Sequence, residues 1–363
     1  MDSEKEFFNF KSKRLLITGG AGFIGGAMIR KLLIETDLEI FNIDKCGYAS
    51  DLESIKYFKL NKRFHHINID LNCKEKVLEA VANSRPDFVL HFAAESHVDR
   101  SIDNPQKFVE SNIFGTFNLL EAVKDFFNKL DEVKRKEFKF LHISTDEVFG
   151  SLDQSGYFNE LSRYDPRSPY SATKASSDHL VLAWFHTYNI PVLLTNCSNN
   201  FGPWQFPEKF IPLIILKAYK REQIPIYGDG LNIRDWLYVD DHIDAIIQLL
   251  LKGKVGERYC IGGKNEKTNN QVAKLICEIF DKRFPNRPKH ESLIKKVTDR
   301  PGHDRRYAID TSKIENELNW RPKKEFNEAL FLTVNWYLDN IKWTEKMIES
   351  SQYNIQRLGL EIN

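Results

Sequence analysis

No stretch of the 363-residue chain approaches the ~18 consecutive apolar residues that a membrane-spanning helix needs. Nor does it open like a secretory leader. Met1-Asp2-Ser3-Glu4-Lys5-Glu6 is polar and acidic where a leader has a basic start and an apolar run. An excess of either charge is missing too. Lys and Arg number 52 against 51 for Asp and Glu, so no overall field points to nucleic acid or an anionic membrane. Cysteine is scarce: Cys46, Cys73, Cys197, Cys260 and Cys277 are scattered, with no Cys-x-x-Cys. That usage fits reduced thiols in a cytoplasmic protein rather than a disulfide framework. Metal-ligand spacing is absent among His, Cys, Asp and Glu, so no metal is expected. No repeat is visible, which excludes solenoids. What remains is an ordinary globular mix, 42% hydrophobic and 28% charged, with 26 phenylalanines for a large core. The length suggests about two domains.

The first two-thirds alternates short β-branched runs with longer helical patterns. Strands are expected at 14–18, 38–44, 64–69, 88–92, 139–144 and 191–196, with helices at 23–34, 74–83, 105–128 and 168–188. This alternation predicts an α/β fold, a Rossmann-type doubly wound parallel sheet covered on both faces. After Asn196 the rhythm breaks into loops rich in Pro and Gly and shorter helices, suggesting a smaller, irregular α/β domain. The charged stretch 129–139 reads as a solvated loop or helix end, and the tail beyond Trp343 as an amphipathic helix.

Directly after the first strand comes Thr18-Gly19-Gly20-Ala21-Gly22-Phe23-Ile24-Gly25. Glycines at this spacing allow a tight turn, let backbone N–H groups approach a pyrophosphate and let the next helix pack close. The helix then offers its positive end to the phosphates. Asp44 ends the second strand, where an acid binds the adenosine ribose and repels a 2′-phosphate, favouring NAD over NADP; Lys45 beside it pulls the other way. Asp70, at the end of the third strand, is placed either to approach the adenine or as a plain loop residue.

Tyr170 and Lys174 stand four apart on one helical pattern, so both side chains share a face. A neighbouring ammonium and a cationic nicotinamide both favour the phenolate and would lower the tyrosine's pKa from about 10. The strand before them ends in Ser144-Thr145-Asp146-Glu147. Ligands of open parallel sheets bind beyond the carboxyl ends of strands. Two adjacent carboxyls there can hold different protonation states, one acting as acid and the other as base. The alternative is that one of them caps a helix or turn.

The glycine turn and Tyr170-x-x-x-Lys174 resemble the extended short-chain dehydrogenase/reductase family, and more narrowly the dTDP-glucose 4,6-dehydratases. Segments 93–101, 144–150, 170–174, 196–203, 206–212, 234–239 and 299–304 carry this resemblance, which spans roughly residues 14–325. The Thr-Asp-Glu triplet discriminates most, since related decarboxylases and mannose-nucleotide dehydratases usually have Ser at the Asp146 position and epimerases lack the acid pair. The resemblance implies a redox-neutral dehydration. Tyr170, tuned by Lys174 and aided by Thr145, takes a proton as hydride passes to NAD; Glu147 then acts as base and Asp146 as acid. It implies cofactor contacts from Gly19, Gly22, Phe23, Ile24, Gly25, Asp44, Lys45, Asp70, Leu71, Ala93, Ala94, Ser96, Tyr170, Lys174 and Asn200. It implies nucleotide-sugar contacts from Ser96, Thr145, Asn199, Lys209, Phe210, Pro225, Tyr227, Arg234, Arg300 and His303. The implied domains are 12–200 with a return segment about 234–262 for NAD, and 201–233 with 263–345 for the nucleotide sugar, leaving 346–363 as a tail. A homodimer through the helices beginning near Pro105 and Pro169 is implied by the same analogy.

The chain also departs from the family pattern. Cys260 stands where Asn usually precedes Ile-Gly-Gly, a position near the substrate nucleotide in relatives, and Phe149 and Phe201 replace tyrosines. A UDP-glucose dehydratase, another epimerase or decarboxylase, and a catalytically silent NAD-binding scaffold are the competing readings.

Overall fold

A computed structural model of the chain describes Phe10 and residues 12–350. The chain runs β1 (Arg14–Thr18), α1 (Phe23–Glu35), β2 (Glu39–Asp44), β3 (Phe64–Asn68), α2 (Lys74–Ser84) and β4 (Phe88–His91). Next come α3 (Val98–Asp103), α4 (Pro105–Phe108), α5 (Gly115–Phe127), α6 (Glu132–Glu137), β5 (Lys139–Thr145), α7 (Pro169–Tyr188) and β6 (Val192–Cys197). Beyond the sixth strand lie β7 (Asn199–Phe201), α8 (Phe210–Lys220), β8 (Ile224–Tyr227), β9 (Ile233–Tyr238), α9 (Val239–Lys252) and β10 (Arg258–Ile261). The chain closes with β11 (Glu266–Thr268), α10 (Asn269–Arg283), β12 (Ile294–Val297), α11 (Ser312–Leu318), α12 (Phe326–Asp339) and α13 (Ile341–Ser350).

Seven strands form one sheet in the order β10-β6-β5-β4-β1-β2-β3, and all six pairings are parallel. Its central strands are buried along their whole length, as β4 and β6 show, because helices cover both faces. On one face α1, α9 and α11 pack over Leu15, Ile17, Leu193 and Ile261; on the other, α2, α5 and α7 pack over Leu16, Val89, Phe140 and Val192. Alternate residues of each strand thus feed opposite cores.

The strand order reverses between β1 and β4, so a crevice opens at the carboxyl edge there. Two small sheets, β11-β9-β7 and β12-β8, overhang that edge with α8, α10 and α12 around a third core of Phe201, Ile215, Trp236, Phe280 and Val334. Connections cross between the layers. β9 pairs with β7 and β11, α9 and β10 return to the large sheet, and Ile314, Leu318 and Trp320 join its core.

The helix expected over 105–128 is broken by a π-helical turn, Val109–Phe114. One extra residue in that turn rotates Asn112 towards the β4 loop, where its Oδ1 accepts from Glu95 N at 2.8 Å and its Nδ2 donates to Glu95 O at 3.0 Å. The stretch 129–139 is ordered further than expected, with Asp131 capping α6 through Lys134 N at 2.9 Å. Part of the expected tail helix appears as α13; residues 351–363 lie outside the described residues. Among the described residues no helix is long and apolar enough to cross a membrane. Leu193 on β6 has no exposed surface. Leu193→Ala is expected to cost about 2–5 kcal/mol of unfolding free energy in a denaturant titration.

Candidate active site at the carboxyl edge of the sheet

A cleft runs over the ends of β1, β2, β4 and β5. Its floor is the turn after β1. Gly19, at φ +75°, lies so near the β4 loop that a Cβ would come 2.6 Å from Ala93 N, and a Cβ on Gly25 would lie 2.4 Å from Gly19 O. Backbone atoms cannot yield, so glycine is required at both places. α1 then begins with no side-chain cap and no acid in its first turn. Its uncapped amides and positive end therefore face the cleft, lined there by Gly19, Gly22, Phe23, Ile24 and Gly25. This arrangement fits the diphosphate of NAD.

Asp44, Lys45, Asp70, Leu71, Ala93, Ala94, Ser96 and Asn200 line the same cleft. Asp44 also braces the fold. Its Oδ2 accepts from Ala21 N at 2.9 Å, and its Oδ1 accepts from Cys46 N at 2.8 Å and the Ser50 hydroxyl at 3.0 Å. Lys45 pairs with Glu95 at 2.9 Å, which offsets the positive charge a 2′-phosphate would seek. Asp70 accepts from Asn72 N at 2.9 Å and so shapes its turn as well as the wall.

The chemical end lies where β5 gives way to a 3-10 turn, Asp146–Phe149. The cap of this turn is Thr145, whose Oγ1 accepts from Glu147 N at 3.2 Å, so neither acid is used as one. α7 is started by Pro169 and a reciprocal cap: Ser168 Oγ accepts from Ser171 N at 3.1 Å, and Ser171 Oγ accepts from Ser168 N at 3.0 Å. That start puts Tyr170 in the first turn and Lys174 one turn on, and both line the cleft with Thr145 and Glu147. Lys174 Nζ donates to Ile143 O at 2.9 Å. Asp146 does not line the cleft. It is buried beside Thr145, whose hydroxyl stands 3.3 Å from its Oδ1, and its Oδ2 has no partner among the described residues.

Burial governs the titration of this cluster. It drives Asp146 well above the usual carboxylate range, with the charges of Glu147 and Asp235 adding and Arg234 opposing. Glu147 is raised by burial too, but Arg300, Arg234 and Lys209 pull it back. The environments therefore separate the acids: Asp146 keeps its proton while Glu147 ionises more readily. Tyr170 is pushed up by burial and by Glu147, with the Thr145 hydroxyl working the other way. The expected pull of Lys174 on the phenol is not what dominates. Its ammonium is turned to a backbone carbonyl and is itself disfavoured by burial.

A second cavity continues from the cleft past Glu147 and is lined by Ser96, Asn199, Lys209, Phe210, Pro225, Tyr227, Arg234, Arg300 and His303. Arg234 is fixed by Ile233 O at 2.8 Å and Asp304 O at 3.0 Å and lies 4.3 Å over the Tyr307 ring. Lys209 Nζ donates to Ser96 O at 2.7 Å, and His303 Nδ1 stands 2.6 Å from Asp299. Several wall residues were not expected from sequence. Asp99 accepts from Tyr227 at 2.6 Å and pairs with Arg300 at 3.2 Å. Glu208 accepts from Tyr48 and from Arg100, each at 2.8 Å, and so ties the β2 loop to the approach to α8. These acids sit in the matching segments but carry no spacing signal of their own.

Cys260, the departure from the family's Asn, lies away from both cavities. It is fully buried among Val148, Phe149, Phe158 and Tyr307. The apolar cluster behind the 3-10 turn, rather than a nucleotide, is what this thiol meets.

Residues 16–332 match the family described as GDP-mannose 4,6 dehydratase. The chain is 48% identical over 350 residues to the dTDP-glucose 4,6-dehydratase of Xanthomonas campestris pv. campestris, covering 96% of this chain and 99% of that one. The chain belongs to the nucleotide-sugar 4,6-dehydratases of the extended short-chain dehydrogenase/reductase family. Within this dehydratase family, the enzyme of Neisseria meningitidis serogroup B is likewise 48% identical over 352 residues, with 96% and 99% covered. The dTDP-glucose 4,6-dehydratase of Bacillus anthracis in complex with NAD superposes with a TM-score of 0.83 at 40% identity, covering 93% of this chain and all of that one. That of Streptomyces venezuelae with NAD bound gives 0.85 at 38% identity, with 92% and 99% covered. The cofactor of this dehydratase fold is NAD. Gly25→Ala is expected to empty the cleft and destabilise the fold by roughly 1–3 kcal/mol, read as nicotinamide nucleotide released per chain on denaturation.

Proposed function

We propose that the chain converts dTDP-glucose to dTDP-4-keto-6-deoxyglucose. The observation that carries this reading is the junction of two cavities at Glu147. A dinucleotide cleft with Tyr170 and Lys174 lies on one side, and a cation-lined pocket with Arg234, Arg300 and Lys209 on the other. Guanidinium groups suit a diphosphate, and Tyr227 suits a base ring.

NAD, when bound, supplies a hydride acceptor and a delocalised positive charge. Burial keeps the Tyr170 phenol protonated, so its role as base depends on that added positive charge. With it, and helped by the Thr145 hydroxyl, Tyr170 would take the proton of the sugar's 4-hydroxyl as carbon 4 gives up its hydride. The resulting ketone acidifies the proton on carbon 5, which Glu147 removes. Asp146, protonated because it is buried beside another acid, gives its proton to the departing hydroxyl on carbon 6. Asp146 lines neither cavity, so this role requires its side chain to turn into the pocket when the sugar binds. Glu147 then returns its proton to carbon 5 as the hydride taken from carbon 4 is delivered to carbon 6, and the proton Tyr170 gained balances the one Asp146 gave to the departing water. Oxidation alone would need neither carboxyl.

The named relatives favour a thymine over a uracil nucleotide. The five free cysteines support a reducing, cytoplasmic setting. We read 12–200 with about 234–262 as the NAD-binding part and the intervening and following residues to 345 as the substrate-binding part. We further propose a homodimer, supported by apolar Val109, Phe114 and Tyr188, which are 37%, 55% and 41% exposed along the two long helical segments.

Purified protein given dTDP-glucose is expected to lose one water per sugar with no net NADH, read by mass spectrometry; an unchanged mass with a galacto product would mean epimerisation instead. Glu147→Gln should still reduce NAD but slow dehydration by about 10²-fold or more. Since Glu147 must be ionised to act and its pKa is raised above 4.5, activity should fall with decreasing pH along a limb lying above 4.5. Phe114→Glu is expected to shift the chain from dimer to monomer in light scattering.

A further inference from the structure

Next to the Tyr170–Lys174 pair lies a charged group that this mechanism does not use. Asp178, one turn beyond Lys174 on α7, has no exposed surface. A carboxylate is rarely buried so completely unless partners hold it. Tyr164 donates its hydroxyl to Asp178 Oδ2 at 2.7 Å, and Asn196 Nδ2 donates to the same oxygen at 3.2 Å. Asn196 Nδ2 also donates to Thr145 O at 3.0 Å. On the other oxygen, His142 Nε2 stands 3.2 Å away. These partners come from β5, β6 and the segment before α7, so one carboxylate joins the helix of Tyr170 and Lys174 to both strands that frame the chemical site.

We propose that Asp178 is a positioning residue of the active site: the buried counter-charge of Lys174 and, through Asn196, the anchor of the Thr145 backbone. This rests on the reading of Tyr170 and Lys174 as the oxidising pair. The groups facing Lys174 are Asp178 from its own helix and Cys197 from β6, which favour the ammonium against burial. Those facing Asp178 are His142, Lys174 and Tyr164, which hold it below the usual carboxylate range although burial opposes. His142 is pushed down to about 4 by burial, and His91, its ring 5.1 Å away, is lowered as well. Both histidines are then neutral at working pH, and Lys174, one helical turn away with its Nζ on Ile143 O rather than in a direct ion pair, is the cation that acts on the carboxylate across the dry interior.

Neutralising Asp178 removes a contribution that keeps the proton on Lys174. Lys174 then loses its proton at lower pH, so the alkaline limb of activity moves down. Asp178→Asn is expected to lower kcat on dTDP-glucose by on the order of tenfold or more and to shift that limb by about one pH unit or more, with bound NAD unchanged. Asp178→Glu, which keeps the charge, should restore the limb even where kcat stays low. A folded Asp178→Asn protein with the wild-type limb and kcat overturns the proposal. Should that protein not fold, Asn196→Ala decides: it cuts the link between Asp178 and the Thr145 carbonyl and should lower kcat with bound NAD unchanged, and a folded variant with the wild-type kcat overturns the proposal. Wild-type protein that fails to reduce NAD or dehydrate the sugar overturns the underlying reading instead, before any Asp178 variant is compared.

Discussion

Burial of ionisable groups at the end of β5 is the constraint from which the rest of the site follows. Asp146, Glu147, Tyr170 and Lys174 are crowded where little water can reach, and each then prefers its neutral form unless a neighbour intervenes. Asp146 has another acid beside it and stays protonated; Glu147 faces three cations and can ionise. One strand end thus holds an acid and a base made from nearly the same side chain.

The architecture keeps this cluster in register. β5 is central in an all-parallel sheet, so its end cannot slide without disturbing both β4 and β6. α7 begins at a reciprocal cap, which sets the rotation of Tyr170 and Lys174 about the helix axis. The glycine turn is held from two sides, by the β4 loop at Gly19 and by Asp44 through Ala21 N. Cofactor cleft and chemical site are therefore parts of one rigid edge. The overhanging part, by contrast, supplies Arg234 from β9 and Arg300 from the loop after β12, whose guanidinium groups are fixed by backbone carbonyls or by Asp99 rather than by the large sheet.

Some positions that shape the site leave no local mark in the sequence. Asn112 is displaced by a π turn, which helical periodicity does not reveal. Asp99 and Glu208 act by pairing with residues 201 and 108 positions away in sequence, and no local pattern marks such partners. Cys260, where relatives carry Asn, is packed into an apolar cluster, and the substitution itself was visible in the sequence while the packing was not.

Strand positions, the glycine turn and the first turns of α7 were determined by the sequence itself, because each depends on neighbours within a few residues: β-branched runs, missing side chains, a serine cap before a proline. That the large sheet is parallel was legible for the same reason, as alternation of strand and helix favours it, while its strand order and its seventh strand, β10, came from the structure. Protonation states, the pairing of Arg300 with Asp99 and the burial of Asp146 outside the cleft were decided by tertiary structure. Those properties depend on which distant groups share a dry volume, and electrostatic energy in such a volume is set by separations that a linear chain does not encode.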